Sequence, residues 1–247
     1  MNGDLAAALA ARIVDPVLAV VFPAPCPHCG SLVEHPLRGP LCEACWGALP
    51  RHRGALCSCG LPLPGAEATA TCGRCRRQLS PFGAGFSLGP YEGGLKAVIH
   101  ELKFRGRRRV AERLAERIAA SPGCARVLTS EAVLVPVPLH PRRRRERGFN
   151  QSELLAKALA RRHHLAVAPD AVVRRKETAP QTGLSAAARR SNVAGAFAVR
   201  RRSRVAGRVV VLVDDVVTTG ATARACARVL RDAGAVEVRL LTAARVN

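Results

Sequence analysis

The sequence predicts an α/β fold preceded by a small cysteine-rich module. Two apolar runs, Ala132–Leu139 and Val209–Val213, are typical of strands buried on both faces. Helical spacing follows each run, from about Ser152 to Arg162, and again after Thr222 up to a predicted C-cap at Gly234. Eight of the ten cysteines lie between positions 26 and 75, in a stretch rich in Gly and Pro and poor in large apolar residues. Such a stretch usually needs metal or disulfides to fold.

The segment Val209–Thr222 combines a strand, an acidic pair, a small-residue loop and a helix start. Its acids are Asp214 and Asp215, and its loop is Thr218, Thr219, Gly220, Ala221 and Thr222. Small residues let the backbone approach an anion, and the first N–H groups of the helix point at it. The acids would repel a phosphate, so they suit neutral hydroxyls, such as a ribose diol, or a hydrated cation. The alternative is an ordinary strand-to-helix turn with an acidic cap.

The cysteines form two sets of related spacing. The first set is Cys26, Cys29, Cys42 and Cys45, and the second is Cys57, Cys59, Cys72 and Cys75. Three of the four positions recur at an offset of 30, which indicates an internal duplication. Two C-x2-C turns close a tetrahedral four-cysteine zinc site, and without a basic leader we favour metal over disulfides. A single residue separates Cys57 from Cys59, so the second site is distorted, lost or completed by another ligand.

The charge balance predicts attraction to phosphates. There are 39 basic and 18 acidic residues, a formal net charge of +21, and only four of the basic residues are lysines. The phosphates could belong to a nucleotide sugar or to nucleic acid. Leu5–Ala24 is apolar but is interrupted by Arg12, Asp15 and Pro16, which excludes a membrane span there. We expect a cytoplasmic protein whose residues Leu5–Phe22 form an amphipathic helix or two half-helices.

Two basic positions stand out from the solvated charges of the middle region. Lys103 ends a predicted helix, Leu95 to about Phe104, immediately before a Gly turn, where a lone lysine can reach a phosphate. Arg147 lies in Arg147–Gln151, a specific sequence that a nonspecific basic run does not explain. It follows the strand Ala132–Leu139, and the carboxyl ends of parallel strands are where such sheets bind anions.

Four motifs together resemble the ComF family. They are VPVPL, RGFNQSELLA, QTGLSAAARRSNVAGAF and VVLVDDVVTTGAT, preceded by the cysteine-rich module. Members of that family are similar to type I phosphoribosyltransferases, and some are associated with natural competence, the uptake of single-stranded DNA. The resemblance implies a type I phosphoribosyltransferase fold, with a central, mostly parallel sheet flanked by helices. It also implies three parts: an N-terminal helical segment (1–22), a double zinc ribbon (23–80) and a phosphoribosyltransferase-like domain (81–247).

The same resemblance assigns roles to the site residues. It implies that Asp214 and Asp215 hold the ribose of phosphoribosyl pyrophosphate (PRPP), with Mg²⁺, and that Thr218–Thr222 hold the 5′-phosphate. A mobile loop precedes the PRPP motif in type I enzymes, and the segment Arg174–Leu184 has no packing pattern, so it could be that loop. The candidates for contact with pyrophosphate are Lys103, Arg147, Lys176, Gln181, Arg189 and Arg190. An exposed linker is the alternative for the loop.

Three functional hypotheses follow. The first is a phosphoribosyltransferase with one or two structural Zn²⁺ ions. The second is a non-catalytic adaptor that holds single-stranded DNA beside a competence helicase-like protein, and the third is a PRPP sensor. The scarcity of aromatic residues, at 3%, disfavours the adaptor, because proteins that bind single strands stack bases on aromatic rings.

Overall fold

The computed structural model describes residues 14–15, 17–63, 65, 71–77, 80–105, 108–176 and 195–246. Within these ranges the helices are α1 (Glu43–Gly47), α2 (Gly73–Arg77), α3 (Gly93–Arg105), α4 (Arg108–Ala119), α5 (Pro141–Arg147), α6 (Gln151–His163) and α7 (Ala221–Asp232). The strands are β1 (Ala55–Leu56), β2 (Pro62–Leu63), β3 (Gly85–Pro90), β4 (Val133–Pro136), β5 (Ala166–Val167), β6 (Val172–Arg174), β7 (Phe197–Val199), β8 (Val209–Val217) and β9 (Glu237–Arg245).

The central sheet has the strand order β3-β9-β8-β4-β5, and every neighbouring pair is parallel. This confirms the predicted parallel sheet flanked by helices. Side chains alternate along β8, so its two faces join different cores. Val211 and Val213 pack with the apolar residues of α3, α4 and α6, whereas Val210 and Leu212 pack with those of α7. Both faces are covered, which explains why β8 reads as a continuous apolar run.

The acidic pair lies within β8 rather than after it. The sequence predicts a strand that ends at Val213, but β8 continues to Val217 and stays in register with β9, where Asp214 lies opposite Thr242. Carboxylates are tolerated in this buried strand because neighbouring helices supply hydrogen-bond donors to them. The predicted final strand, about Val236 to Leu241, likewise extends to Arg245.

The strand β4 is shorter than predicted. It ends at Pro136, although the Val137 N–H still donates a hydrogen bond to the Val213 carbonyl oxygen of β8 at 2.9 Å. The arginine run that follows forms helix α5, with Pro141 in its first turn and Gly148 closing it at φ +79°. No residue of α5 is buried, so no apolar stripe in the sequence signals this helix.

The cysteine-rich module packs closely on the sheet edge formed by β3. A Cβ added to Gly89 would lie 2.0 Å from the Pro50 carbonyl oxygen, and one added to Gly85 would lie 2.3 Å from that of Ser58. These glycines are therefore required for the contact between the two parts. Near the N-terminus, residues 14–15 and 17–21 are helical, whereas residues 1–13 and 16 of the predicted helical segment lie outside the described residues. No helix among the described residues is long and apolar enough to span a membrane.

Candidate active site and cysteine clusters

The candidate active site is a cavity of about 360 Å³ at the carboxyl ends of β4 and β8. The topology of a parallel sheet brings the residues that follow several strands to this edge. The lining residues are Tyr91, Lys103, Val137, Pro138, Leu139, Arg143, Gln151, Ser152, Arg174, Asp214, Asp215, Val216, Thr218 and Thr222. Both predicted acids and two of the predicted loop threonines thus share one cavity with three cationic side chains.

Each acid has its own set of partners. Asp214 Oδ1 accepts hydrogen bonds from the Ser152 hydroxyl and from the Asp215 N–H, each at 3.0 Å. Asp215 Oδ1 accepts one from Gln151 Nε2 at 3.0 Å, and its Oδ2 lies 2.6 Å from Lys103 Nζ. Gln151 and Ser152 begin helix α6, and Asn150 caps it by accepting from the Ser152 N–H. The start of α6 therefore orients both carboxylates.

The two carboxylates have opposite pKa shifts. Burial, together with the neighbouring Asp215, raises the pKa of Asp214 well above its usual range. Burial also acts to raise the pKa of Asp215, but the Lys103 ammonium and the Gln151 hydrogen bond outweigh it and lower that pKa. The pKa of Lys103 is raised, because Asp215 more than offsets the burial of the ammonium. The surroundings therefore favour the neutral form of Asp214 and the ionised form of Asp215.

Of the predicted loop Thr218–Thr222, only Thr218–Gly220 is a loop in the structure, because Ala221 and Thr222 form the first turn of α7. Gly220 adopts φ +74° at the N-cap of α7, a conformation that glycine adopts without strain. The Ala221 N–H points to the Thr219 hydroxyl at 3.4 Å, and Thr218 and Thr222 line the cavity. The N–H groups and positive dipole end of α7, a helix of 12 residues, thus open beside the acids.

The predicted pyrophosphate residues fall into three groups. Lys103 lines the cavity, where it pairs with Asp215. Arg147 does not line it: its guanidinium donates to Gln151 Oε1 at 2.6 Å and lies 5.4 Å from the Phe104 ring centroid, so it reaches the acids through Gln151. Lys176 is exposed and lies outside the cavity lining, while Gln181, Arg189 and Arg190 lie outside the described residues.

Two cavity arginines were not predicted from the sequence. Arg143 comes from α5 and Arg174 from the end of β6, which pairs with β7 as an antiparallel hairpin. The prediction that Arg174 begins a loop without packing was wrong, because Arg174 pairs with Phe197 in that hairpin and is half-buried. The remainder of the predicted mobile loop, from 177 onward, lies outside the described residues.

The structure brings each cysteine set together. In both sets the four Sγ atoms lie within 4.8 Å of one another. Tetrahedral zinc with Zn–S bonds of roughly 2.3 Å requires S–S separations of roughly 3.8 Å. The Cys29 and Cys42 sulfurs are 3.6 Å apart, and those of Cys59 and Cys72 are 3.8 Å apart. None of the ten cysteines, all of which lie among the described residues, forms a disulfide. Both donor sets fit zinc, including the second one, in which only Ser58 separates the first two cysteines.

Family comparisons match both parts of the chain. A model described as "Phosphoribosyl transferase domain" matches residues 150–247, and one described as "Double zinc ribbon domain" matches residues 17–76. Together with the parallel sheet, these matches establish a type I phosphoribosyltransferase fold with an N-terminal zinc-ribbon module. The cysteine clusters are thereby accounted for as structural zinc sites.

Curated relatives resemble the chain over most of its length. "DNA utilization protein YhgH" of Salmonella typhimurium is 39% identical over 206 residues, covering 81% of this chain and 88% of that protein. "Competence protein F" of Haemophilus influenzae is 31% identical over 226 residues, covering 89% and 96%. "Competence protein ComFC" of Bacillus subtilis is 29% identical over 203 residues, covering 78% and 79%. The names of these relatives concern DNA utilisation and competence.

Proposed function

The chain belongs to the ComF family, which unites the YhgH and competence protein relatives, and on that premise we propose that it binds PRPP with Mg²⁺ as a phosphoribosyltransferase. The observation that carries the proposal is the buried acidic pair, Asp214 and Asp215, beside the Thr218–Thr222 loop in one cationic cavity. Few ligands other than a sugar phosphate need hydroxyl-binding acids next to a phosphate-binding loop.

In the proposed complex, different cavity residues bind different parts of PRPP. Asp214 and Asp215 bind the ribose hydroxyls, and Thr218–Thr222 with the start of α7 bind the 5′-phosphate. Lys103, Arg143 and Arg174 face the pyrophosphate from inside the cavity. Arg147, Lys176, Gln181, Arg189 and Arg190 remain candidates for closing over it from outside.

Lys103 has a switching role in this proposal. Its ammonium lies on Asp215, the acid assigned to the ribose, so ribose binding requires Lys103 to give up that contact. The pyrophosphate offers the ammonium a stronger negative partner, which makes the exchange favourable. Ligand binding thus frees Asp215 for the hydroxyls and places a cation beside the leaving group.

The proposed reaction is displacement of pyrophosphate from the anomeric carbon of the ribose by an acceptor nucleophile: the bond from this carbon to the pyrophosphate oxygen breaks, and a bond to the nucleophile forms. Bound Mg²⁺ would neutralise charge on the departing pyrophosphate. Within the chain, Lys103 and Arg174 stabilise the same charge, while the ionised Asp215 stabilises an oxocarbenium-like ribose ring. Asp214, held by Ser152, keeps the sugar oriented.

A second candidate function is a single-stranded DNA adaptor. It is favoured by the net charge of +21 and by the names of the relatives, which concern DNA. In this function the basic surface would hold the strand beside a helicase-like partner. Either function fits a cytoplasmic location, because eight thiols kept for zinc require a reducing compartment.

The experiment that tests the proposal is calorimetric titration of the zinc-loaded protein with PRPP and Mg²⁺. The double variant Asp214→Asn/Asp215→Asn is titrated in parallel, and both proteins are titrated with a single-stranded oligonucleotide at two salt concentrations. We expect the variant to lose PRPP binding and to keep oligonucleotide binding. If the unaltered protein binds the oligonucleotide but not PRPP, the transferase proposal is wrong and the adaptor function is favoured.

A further inference from the structure

The second cysteine cluster is joined to the candidate phosphate loop by two arginines. Helix α2 carries both the predicted zinc ligand Cys75 and Arg74, and the Arg74 guanidinium donates a hydrogen bond to the Thr219 carbonyl oxygen. In the opposite direction, Arg224 of α7 donates to Cys75 Sγ at 3.4 Å. Each side of the contact thus holds the other through a charged donor.

A third contact fixes the same cluster to the sheet. Arg245, at the end of β9, donates to the Cys59 carbonyl oxygen at 2.8 Å and is only 6% exposed. The first cluster has a different neighbour. The part of the module around this cluster packs on the start of α3, where a Cβ on Gly94 would lie 3.2 Å from Leu49 Cδ2. The two clusters therefore differ in what a lost metal ion would disturb.

We propose that zinc at the second cluster positions the Thr218–Thr222 loop, with Arg74 and Arg224 as the positioning residues. Zinc fixes Cys75 and helix α2, and Arg74 then holds the Thr219 carbonyl oxygen. The loop cannot cradle a phosphate unless its N–H groups converge on one point, so release of the carbonyl loosens the cradle. That the ligand is PRPP rests on the proposed function, whereas the coupling of metal to loop does not.

The coupling works in both directions. If zinc at the second cluster favours the ligand-binding form of the loop, the ligand favours zinc retention by the same factor. PRPP with Mg²⁺ therefore slows zinc release to a chelator from the second cluster. Release from the first cluster, which packs on α3, stays unchanged.

The test measures hydrogen–deuterium exchange of the Thr218–Thr222 amides in the zinc-loaded full chain, with no ligand added. Arg74→Gln is compared with Arg76→Gln, which makes the same charge change at an exposed position of the same helix. We expect exchange of these amides about tenfold faster in Arg74→Gln, as for loss of one charged hydrogen bond. Arg76→Gln should match the unaltered protein, and Arg74→Lys should restore most of the protection.

A second pair of variants tests the metal. Cys75→Ser should accelerate exchange of the loop, while Cys29→Ser, in the first cluster, should leave it unchanged. Equal loop exchange in Arg74→Gln and Arg76→Gln, together with equal effects of the two serine variants, would overturn the coupling. A protein that shows the coupling but binds no PRPP retains the inference and loses the proposed function. If Arg74→Gln and Arg76→Gln bind PRPP with equal affinity and show no difference in loop exchange, the proposed function is retained and the coupling inference is lost.

Discussion

Lys103 Nζ lies 2.6 Å from Asp215 Oδ2, and because of this ion pair the neighbouring Asp214 and Asp215 have different effects on stability. Asp215 has a cation beside it, whereas the carboxyl group of Asp214 faces a hydroxyl and a backbone N–H. In a buried site, a carboxylate without a cationic partner is destabilising. The pair therefore combines an acid that stabilises the fold with one that is present at a cost to stability, which is common at functional sites.

The first prediction is that neutralising Asp215 destabilises the protein, whereas neutralising Asp214 does not. Asp215→Asn leaves the Lys103 ammonium buried without its partner, so the free energy of unfolding should fall by about 3 kcal/mol. Asp214→Asn removes a carboxyl group whose ionisation is disfavoured and should be neutral or stabilising. Thermal denaturation at pH 7.5 measures both variants. A loss of stability in Asp214→Asn as large as that in Asp215→Asn would contradict the assignment.

The second prediction concerns pH. The pKa of Asp214 is raised on folding, so above about pH 4 the folded state holds a proton that the unfolded state has lost, and stability falls as the pH rises. The pKa of Asp215 is lowered, so its contribution is present above about pH 4 and is lost as the pH falls through its folded value. The melting temperature should therefore fall less steeply from pH 5 to pH 8 in Asp214→Asn than in the unaltered protein. Parallel profiles would show that Asp214 titrates normally.

The third prediction is that Arg174 contributes to ligand affinity although it is remote in sequence from the acidic pair. Arg174→Gln removes a cation that lines the cavity and should weaken PRPP binding by about tenfold. Arg175→Gln is the matched control, because Arg175 is exposed and does not line the cavity. Calorimetric titration compares the two. Equal affinity in both variants would remove Arg174 from the site.

The fourth prediction is a zinc content of two ions per chain. Both cysteine sets have sulfur positions that fit tetrahedral zinc. Metal analysis of the purified protein should give two equivalents, and Cys59→Ser should reduce this to one with a lower melting temperature. Cys124→Ser is the control, since Cys124 is a buried thiol outside both clusters. A content of one in the unaltered protein would show that the C-x-C pair does not support a site.

Local patterns predicted the parts of the site that one segment supplies. The acidic pair, the Thr/Gly loop and the helix after it lie within Val209–Asp232, where strand and helix periodicity are both strong. The two cysteine sets were equally readable, because zinc imposes fixed spacing on its ligands. The pattern did not predict that β8 continues past the acids. A carboxylate in the sequence indicates the end of a buried strand unless its hydrogen-bond partners on other elements are known.

The partners were less predictable. Ser152 and Gln151 were recognised only as part of a motif, and their role depends on how α6 meets the end of β8. Arg174 reaches the cavity because β6 pairs with β7, a strand more distant in the sequence. Pairing between distant strands produces no local periodicity that a sequence could show. The link from Arg74 to Thr219 spans 145 residues, and only the packed structure shows it.

The most direct test of the proposed site is a crystal structure of the zinc-loaded protein with PRPP and Mg²⁺. We predict that the ribose hydroxyls bind Asp214 and Asp215, that the 5′-phosphate binds the loop Thr218–Thr222, and that Lys103 moves from Asp215 to the pyrophosphate. A ligand bound elsewhere, or Lys103 still paired with Asp215 beside a bound ribose, would contradict it.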